Sequence, residues 1–421
     1  LKKAPAISGS DPEAHKARRS VMRKTASADR LHISFFGRCN VGKSTLVNAL
    51  AAQEVSLVSA EAGTTSDPVR KSMELLPLGP VMLTDTAGLD EGGGLGSARG
   101  RRSLDVLRRT DLAVLVLDET GLQAEDKDFL ARCRKLQTEV LTLLNQGSEA
   151  GKAADASKAE FPEPLLKINA GRAEDIERLK DVLIEHLQEQ KPSPELLDGL
   201  IAKGDLILFV TPIDAGAPKG RLILPQVRAL RNALDEHAVS LTVQPEELEA
   251  AFGLLNEAPR IVVCDSQVFS KVNAVLPDEQ ALTSYSILFA RLKGILEPSV
   301  RGAAAAASLK DGAKVLIAEG CTHHRQCEDI GTVKLPAWLE NFSGAKPDYT
   351  FVSGGDFPSD LEGYDLIVHC GACMLNAKEV SWRCRQAQAA GIPFTNYGIL
   401  IAHMNGILER SIEPFGLQAE S

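Results

Sequence analysis

The chain has 421 residues, of which 44% are hydrophobic and 24% are charged, and its formal net charge is −9. This composition is typical of a globular protein of roughly two to four domains. The acidic balance argues against a nucleic-acid-binding surface, because a surface that follows phosphates needs a local excess of Lys and Arg. With no apolar run of about 18 residues and no signal-peptide pattern, we expect a soluble compartment and no membrane partner.

The first 30 residues, which begin at Leu1, mix Lys and Arg with Ser, Ala and a few acidic residues. This mixture is compatible with a trimmed transit segment, a fusion linker or an expression boundary. We therefore exclude the segment from the fold prediction and leave its origin open.

The first strong motif lies in LHISFFGRCNVGKSTLVNAL. Residues 31–36 are predicted to form a strand, and a helix is predicted to begin at Lys43. The segment from Gly37 to Ser44 joins the strand to the helix. Its residues Gly37, Gly42, Lys43 and Ser44 match the pattern G-x-x-x-x-G-K-[ST]. In such a loop the backbone N–H groups surround phosphates, the lysine reaches the outer phosphates and the hydroxyl binds magnesium. The motif predicts a nucleotide site that uses Mg²⁺.

Further elements follow in the order expected of a GTPase. GTTSDPV places Thr64 and Thr65 in a switch-like loop, and VMLTDTAGLD ends an apolar strand at Asp85, three residues before Gly88. An Asp-x-x-Gly at this position holds a magnesium-bound water and touches the terminal phosphate. Buried parallel strands are predicted for two more apolar segments, 111–119 and 139–145.

About residues 31–190 resemble the GTPases that include Era and the tRNA-modifying GTPase MnmE. In that group an asparagine inside the P-loop, here Asn40, accompanies potassium-stimulated hydrolysis, so K⁺ is a candidate second cation. The guanine-reading motif N-K-x-D is replaced by Asn145-Gln146-Gly147-Ser148, which lacks the carboxylate that pairs with guanine. The later Ser-Ala-Lys motif is replaced by Asn169-Ala170-Gly171. The sequence therefore leaves the preference for guanine open.

Leu89 stands where many signalling GTPases carry the glutamine that orients the attacking water, so we expect slow turnover. The glycine-rich segment 90–102 is predicted to be a mobile switch. These features favour a timer over a metabolic hydrolase. We assign catalysis to Lys43, Thr65, Asp85 and Gly88. We assign nucleotide contacts to Gly37, Asn40, Val41, Gly42, Lys43, Ser44, Thr45, Thr64 and Asn145.

A Pro-Ser-Pro element predicts a domain boundary near residues 190–197. Beyond it, strand-like and helix-like segments alternate, which predicts a small parallel or mixed α/β sheet. LTSYSILFARLKGIL (282–296) has apolar residues at helical spacing and is predicted to be a core or partner-facing helix. RGAAAAASLKDG (301–312) is predicted to be a linker or a short helix. We find no catalytic cluster in this region.

Cysteine and histidine are concentrated in the C-terminal part of the chain. Five of the eight cysteines and four of the eight histidines occur from residue 321 onward, which predicts a metal site rather than a disulfide framework. Apolar strands are predicted at 314–318 and 364–368, and each runs into a group of metal-binding residues. Because the carboxyl ends of adjacent parallel strands meet at one sheet edge, we expect the two groups to converge. The pattern consists of Cys321, His323, His369, Cys370 and Cys373.

Zinc is one candidate metal, because it binds the same thiolates and imidazoles. The spacing lacks two Cys-x-x-Cys pairs and offers spare ligands, which favours an iron–sulfur cluster with three thiolates and one less firmly held iron. We predict the thiolates to be Cys321, Cys370 and Cys373. The ligand of the fourth iron stays open. His323 or His369 either binds that iron directly or lies behind the residues that bind the cluster. The role of Cys327 is also open, whereas Cys384 is predicted to be a buried residue of a helix over 376–390.

These motifs together resemble the HydF family, the maturation GTPases of FeFe hydrogenase. The resemblance is carried by Cys-x-His and His-Cys-x-x-Cys, with CEDIGTVKLP between them and TNYGILIAHMNGIL after them, behind a P-loop GTPase domain. VTPIDAGAPKGRLILPQ and SYSILFARLKG are similar to the dimerisation domain of that family. The resemblance extends over about residues 31–417.

The resemblance implies a homodimeric scaffold with a 4Fe-4S cluster. Such a protein receives a transient two-iron precursor from two radical-SAM maturases and transfers it to apo FeFe-hydrogenase, while slow GTP hydrolysis acts as a regulatory switch. No nucleic-acid partner is implied. The cytoplasm of an anaerobe and the plastid stroma of an alga both suit this role.

The predicted fold class is α/β, with an N-terminal P-loop GTPase domain, a central α/β dimerisation domain and a C-terminal α/β cluster-binding domain. The predicted boundaries are a flexible segment 1–30 and domains 31–192, 193–305 and 306–421. Two other functions stay open: an iron–sulfur GTPase acting in RNA modification, and a zinc-stabilised regulatory GTPase without a cluster.

Overall fold

The structure of the chain is a computed structural model, which describes residues 30–52, 60–61, 68–90, 98–146, 160–188, 195–213, 222–320 and 330–419. Its strands form three sheets, of seven, four and four strands. The α/β prediction is confirmed. The N-terminal segment 1–29 lies outside the described residues. Among the helices of the described ranges, none has both the length and the apolar character needed to cross a membrane.

The N-terminal sheet has seven strands: β1 (Leu31–Phe36), β2 (Ala60–Glu61), β3 (Val69–Leu75), β4 (Gly79–Asp85), β5 (Leu112–Leu117), β6 (Glu139–Asn145) and β7 (Leu165–Ile168). Their order is β2-β3-β4-β1-β5-β6-β7, and all neighbours are parallel except at β3, which is antiparallel to β2 and β4. The helices are α1 (Lys43–Ala52), α2 (Ala98–Leu107), α3 (Ala124–Leu136) and α4 (Ala173–Gln188). The predicted strands at 31–36 and 139–145 and the helix start at Lys43 are confirmed.

Helices cover this sheet because its strands are apolar on both faces. β5, with the sequence LAVLVL, is buried along its whole length, as expected of a central parallel strand. Helix α4 buries Ile176, Leu179, Leu183 and Leu187, a helical spacing that forms one apolar stripe. The carboxyl ends of the parallel strands consequently share one edge, where α/β sheets hold their ligands.

The middle sheet has four parallel strands: β8 (Leu206–Val210), β9 (Val239–Val243), β10 (Ile261–Cys264) and β11 (Leu282–Ser284). Their order is β11-β10-β8-β9. The helices are α5 (Leu224–Asp235), α6 (Leu248–Gly253), α7 (Phe269–Val275), α8 (Tyr285–Leu292) and α9 (Leu296–Ala303). The parallel α/β prediction is confirmed, and the predicted linker or short helix contains a 3₁₀ helix at Ala304–Ser308.

The prediction of one helix over 282–296 is wrong in its first part. Leu282–Ser284 pairs with β10 as a strand. Ser284 then caps the helix, since its Oγ accepts a hydrogen bond from the backbone N–H of Ile287 at 3.3 Å. The helix ends before Gly294, whose φ of 69° suits a helix terminus.

The C-terminal sheet has four parallel strands: β12 (Lys314–Glu319), β13 (Asp348–Ser353), β14 (Leu366–His369) and β15 (Phe394–Asn396). Their order is β13-β12-β14-β15. The helices are α10 (Leu335–Ser343), which a π-helical turn at Ile330–Lys334 precedes, α11 (Ala377–Ala389), α12 (Tyr397–Met404) and α13 (Leu408–Ile412). Both predicted strands exist, although the second begins and ends slightly later than predicted.

The middle and C-terminal sheets repeat one arrangement. The strand orders coincide when β8, β9, β10 and β11 are matched to β12, β13, β14 and β15. The register also coincides: Cys264 pairs with Val210 in the middle sheet, and His369 pairs with Ala318 at the matching position. We call the two units the middle copy and the C-terminal copy.

The sequence after the last strand repeats as well. TSYSILFARLKGILEPSV (283–300) and TNYGILIAHMNGILERSI (395–412) are identical at 10 of 18 positions. Both segments start with a polar helix cap, Ser284 or Asn396. Outside this segment the two copies resemble each other in apolar pattern more than in identity, so the full extent of the repeat is not apparent from the sequence.

The two copies pack against each other reciprocally. Helix α9 of the middle copy contacts β15, and helix α13 of the C-terminal copy contacts β11. The approach is closest at Gly302 of α9, where an added Cβ would lie 2.1 Å from the carbonyl oxygen of Phe394. Residues of both copies therefore share one hydrophobic core.

Candidate functional site

The P-loop between β1 and α1 has the backbone conformation that its glycines allow. Gly37 and Gly42 have φ values of 143° and 94°, and Asn40 is left-handed with a φ of 60°. Side chains are also excluded by space: a Cβ on Gly37 would lie 2.3 Å from the carbonyl oxygen of Val116. The loop is therefore held in an open turn at the carboxyl end of β1, with Val41 buried beneath it and Thr45 exposed on the helix that follows.

Lys43, Ser44 and Asp85 lie together at the start of α1. The Nζ of Lys43 donates to the carbonyl oxygens of Gly37 and Arg38 at 3.0 and 2.7 Å. The Oγ of Ser44 donates to Asp85 Oδ2 at 2.6 Å. Asp85 Oδ1 is buried and has no hydrogen-bond partner among the described residues.

This arrangement fits a magnesium ion. Burial raises the pKa of the Asp85 carboxyl, and the hydrogen bond from Ser44 and the charge of Lys43 oppose that rise. Mg²⁺ prefers oxygen ligands and keeps several waters. An ion bound by the Ser44 hydroxyl would give the unpartnered Asp85 oxygen a bound water as a partner.

The Asp-x-x-Gly segment contacts the P-loop directly. A Cβ on Gly88 would lie 2.6 Å from Cys39 Sγ, so only glycine fits this approach. Leu89 is buried and packs in the core, away from any role with water. Asp90 Oδ1 accepts a hydrogen bond from the backbone N–H of Cys39 at 2.7 Å, a contact that sequence reasoning missed. Thr64 and Thr65 lie outside the described residues.

Arg38 anchors the P-loop from below. Its guanidinium forms ion pairs with the buried carboxylates of Asp118 at 2.8 Å and Asp126 at 3.1 Å. Burial is the largest effect on Arg38 and lowers its pKa, but the two carboxylates outweigh it, so the pKa of Arg38 is raised. The sequence held no signal for this role, because Arg38 occupies a variable position of the motif.

Asn145 connects the P-loop to the base-binding end of the sheet. Its Nδ2 donates to the carbonyl oxygen of Val41 at 2.9 Å, and its Oδ1 accepts from the backbone N–H of Ala170 at 3.3 Å. The residue is buried, so this part of the guanine-reading motif keeps its structural role. Asn169 Oδ1 accepts from the N–H of Gly171 at 2.9 Å. Gly147 and Ser148 lie outside the described residues.

The second candidate site lies at the carboxyl ends of β12 and β14. These strands are neighbours, so the chain leaves β12 at Gly320 beside the residue that follows β14. Cys370 Sγ accepts hydrogen bonds from the backbone N–H groups of Gly320 at 3.1 Å and Ala372 at 3.3 Å. Burial raises the pKa of the Cys370 thiol, and these two hydrogen bonds oppose the rise.

The donor set at this edge suits a cluster. Backbone N–H groups that point at a cysteine sulfur are the contacts that stabilise an iron–sulfur centre and set its potential. Cys373 is half-buried on the same loop as Cys370. Cys321, the residue after Gly320, lies outside the described residues, as do His323 and Cys327. Among the described residues, no group of three or more Cys, His, Asp or Glu side chains is arranged to hold a metal ion.

His369 is fully buried behind the Cys370 loop. Its Nδ1 lies 2.9 Å from the carbonyl oxygen of Cys370, and its Nε2 lies 3.1 Å from Nη1 of Arg383. A carbonyl only accepts and a guanidinium only donates, so the imidazole is neutral with its proton on Nδ1. Burial, followed by the charge of Arg383, lowers the pKa of His369 to about 3. Both ring nitrogens are engaged, which favours the second of its two predicted roles, behind the ligands.

Cys384 lies on α11 and is buried, as predicted. Burial raises the pKa of its thiol to about 11. Its neighbour Arg383 is a functional candidate that sequence reasoning missed. The spacing of Arg383 and Glu379 on one helix was visible, but nothing in the sequence indicated that both side chains would be buried.

Comparison with known families assigns the three regions. Residues 297–414 match the family model of the hydrogen maturase F tetramerization domain, and residues 196–294 match that of the hydrogen maturase F dimerization domain. Together these two models cover about half of the chain. Residues 32–146 match the model of a 50S ribosome-binding GTPase.

Individual relatives match more partially. The tRNA modification GTPase MnmE of Chromobacterium violaceum is 34% identical over 157 residues, which cover 37% of this chain and 34% of that protein. The GTPase Der of Nitratiruptor sp. is 25% identical over 254 residues, 54% of this chain and 55% of that protein. This chain therefore spans about a third to about half of these relatives. The solved G domain of the T. maritima FeoB iron transporter covers 38% of this chain and 99% of its own, with 21% identity and a TM-score of 0.29.

Proposed function

The chain belongs to the hydrogen maturase F family, and from this premise we propose that it is a GTP-binding iron–sulfur scaffold for FeFe hydrogenase. Its N-terminal domain is a GTPase, and the two following domains are the dimerization and tetramerization domains of the family. In the proposed function the chain receives a two-iron precursor from two radical-SAM maturases and transfers it to the apo-hydrogenase.

The observation that carries the proposal is the position of Cys370. Its sulfur lies at the edge of the sheet where β12 ends, hydrogen-bonded to the residue before Cys321. Gly320 and Cys370, which are 50 residues apart in sequence, thus lie side by side at the sheet edge. We assign the cluster to Cys321, Cys370 and Cys373, and we leave the fourth ligand to His323 or a group from the cargo.

A 4Fe-4S cluster held by three thiolates supplies one iron with an exchangeable ligand, which is where a two-iron cargo can attach and leave. The chain's own residues prepare that position. The N–H groups of Gly320 and Ala372 orient the Cys370 sulfur, and Arg383 and His369 close the interior behind it.

The GTPase domain supplies the switch. Lys43 and the P-loop bind the phosphates, and Ser44 and Asp85 hold Mg²⁺. We further propose Asn40 as a ligand of a K⁺ ion. Slow hydrolysis follows from Leu89, which offers the attacking water no hydrogen bond. We propose guanine as the base, with weaker discrimination than a complete N-K-x-D motif would give. The proposed compartment is the cytoplasm, or the plastid stroma in an alga.

The test compares Lys43→Ala with wild type in the full-length chain, purified and loaded with iron and sulfide under anaerobic conditions. We expect GTP turnover to fall by roughly 100-fold, because the lysine neutralises charge that develops on the phosphates. Iron content should be unchanged, while activation of apo-hydrogenase should fall. Lys127→Ala is the matched control, since Lys127 pairs with Glu160 on an exposed surface of the same domain.

Two results would contradict the proposal. If Lys43→Ala activates hydrogenase as well as wild type, the nucleotide switch has no part in maturation. If the purified chain holds zinc and no iron, the scaffold role fails altogether. Tight binding of bulk tRNA would instead favour the RNA-modification alternative.

A further inference from the structure

The GTPase domain and the C-terminal copy meet where helix α2 ends and helix α11 begins. Asn376 Nδ2 donates to the carbonyl oxygen of Arg109 at 2.5 Å, and Lys378 Nζ donates to that of Asp111 at 3.4 Å. The Arg108 guanidinium lies over the ring of Trp382, 3.9 Å from its centre. The two domains are therefore joined by polar contacts directly beside the helix that follows the Asp-x-x-Gly segment.

An ion-pair chain crosses this junction. Arg109 binds both oxygens of the Glu379 carboxylate, with Nε to Oε2 at 2.8 Å and Nη2 to Oε1 at 3.3 Å. Glu379 Oε1 also accepts from Arg383 Nη2 at 2.5 Å. Arg383 Nη1 donates to His369, which donates to the carbonyl oxygen of Cys370. The contacts are continuous from the GTPase domain to the proposed cluster loop.

The central members of this row of ion pairs, Glu379 and Arg383, are buried, so the position of each depends on the other. The side chains of Arg383 and Glu379 are 1% and 6% exposed, whereas Arg109 is 27% exposed. A buried charge that loses its partner is strongly destabilised, so the carboxylate and the two guanidinium groups must move together or repack together. The ion pairs can therefore pass a displacement of Arg109 to His369.

Arg109 lies at the amino end of β5, the opposite end of the strand from the nucleotide site, and helix α2 precedes it. It follows α2, whose last residues Val106 and Leu107 are buried in that domain's core. The backbone N–H of Arg109 donates to the carbonyl oxygen of Val106 at 3.0 Å, which extends the helical turn. The helix itself begins after residues 85–90, which contact the P-loop through Gly88 and Asp90. Leu89, which follows Gly88, lies in the same hydrophobic core as Val106 and Leu107, so a shift of residues 85–90 with the bound nucleotide would be passed to α2 and Arg109 through that core.

We propose that Glu379 and Arg383 are positioning residues that couple the nucleotide state of the GTPase domain, through Arg109, to the backbone of the Cys370 loop. The inference deepens the proposed function, because it assigns a route by which GTP regulates the cluster site. Thermodynamic linkage makes such coupling reciprocal. If the bound nucleotide changes the affinity of the loop for iron, iron binding changes the affinity for the nucleotide by the same factor.

The first measurement is amide hydrogen exchange over residues 366–376 in the full-length, cluster-free chain, with GDP or a non-hydrolysable GTP analogue bound. In wild type we expect the nucleotide to change the exchange rate by about fivefold or more, the lower end of allosteric coupling. Arg109→Gln should reduce that ratio to less than about twofold. Arg109→Lys, which keeps the charge but not the bidentate geometry, should restore part of it.

Two further variants keep the test specific. Arg108→Gln is the matched control at the same junction, since it loses the contact with Trp382 but leaves the ion pairs intact. The ratio of exchange rates between the two nucleotide states should stay close to the wild-type ratio. Gly355→Ala crowds the chain from the other side, because an added Cβ would lie 2.6 Å from Nη2 of Arg109. Because the guanidinium end of Arg109 can move aside, Gly355→Ala should reduce the exchange ratio less than Arg109→Gln does, and both ligand sites stay unchanged.

The second measurement is the affinity for the GTP analogue with and without iron loading, together with the EPR spectrum of the reduced cluster. In wild type, iron loading should change the affinity for the GTP analogue by about fivefold or more, and in Arg109→Gln it should change that affinity by less than about twofold. The proposed coupling is wrong if the nucleotide does not change the exchange rate in wild type. It is also wrong if the nucleotide changes that rate equally in wild type and in Arg109→Gln. Failure to bind iron would overturn the scaffold function alone, because the exchange measurement needs no cluster.

Discussion

The middle and C-terminal copies have the same strand order and register, yet they present different chemistry at the same edge. After the third strand the middle copy continues with Asp265 and Ser266, where the C-terminal copy has Cys370 and Gly371. In both copies a tyrosine at the start of the helix after the fourth strand reaches back to the carboxyl end of the first strand or the residue after it. Tyr285 bonds Thr211 at 3.0 Å, and Tyr397 donates to Glu319 at 3.2 Å.

This difference separates the role of the backbone from the role of the side chains in forming a ligand site. The backbone determines where a ligand site lies, because parallel strands place their carboxyl ends at one edge. The side chains then decide whether that edge binds anything. In the middle copy Ser266 Oγ donates to Ser284 Oγ at 3.1 Å, so these two hydroxyl groups satisfy each other. In the C-terminal copy the sulfur of Cys370 receives backbone N–H groups instead.

The largest expected effect comes from exchanging the chemistry at matched positions. Cys370→Ser should lower bound iron from about four atoms per chain to less than one, because a hydroxyl does not replace a thiolate. Asp265→Asn, at the equivalent position of the middle copy, should leave iron content unchanged. Iron analysis and EPR of anaerobically loaded protein check both. Equal iron in wild type and Cys370→Ser would remove Cys370 from the ligand set.

The next effect breaks the reciprocal packing of the copies. Gly302→Ala places a methyl group 2.1 Å from the carbonyl oxygen of Phe394, so backbone must move. We expect a loss of about 3 kcal/mol in the free energy of unfolding, measured by urea denaturation. Gly253→Ala is the control, since a Cβ there meets nothing within 4 Å. A wild-type midpoint for Gly302→Ala would mean that the two copies are not packed as described.

A smaller effect tests whether the copies are truly equivalent. A Cβ on Gly398 would lie 2.5 Å from the Cβ of Ser286, the residue at the matching position of the middle copy. Gly398→Ala should therefore cost about 2 kcal/mol. Adding Ser286→Gly removes the opposing atom and should recover roughly half of that loss. Simple additivity of the two changes in a double-mutant cycle would show that these positions do not oppose each other.

The contiguous motifs of the chain could be predicted in detail. Gly37 to Ser44 and Asp85 to Gly88 require particular residues at fixed short spacings, because each serves a local backbone geometry. Lys43 and Ser44 accordingly begin the helix after the P-loop, and Asp85 ends its strand, as the sequence predicts. The strands that lead into Gly320 and Cys370 could also be predicted, since apolar runs of strand length identify them.

Contacts between distant segments could not be predicted. The helix over 282–296 was wrong in its first turn because pairing with β10 outweighs the helical pattern there. The short repeat at 283–300 and 395–412 is present in the sequence, but the matching sheets could not be predicted, because apolar strand positions tolerate many residues.

The sequence by itself determined the phosphate-binding loop, the α/β class and the cysteine groups, since these depend on neighbours along the chain. Only the tertiary structure decided that His369 is neutral and enclosed, that Glu379 serves two guanidinium groups, and that Arg109 reaches it across 270 residues. The physical reason is that burial and charge pairing depend on which surfaces meet in space, and no short pattern in the sequence encodes that meeting.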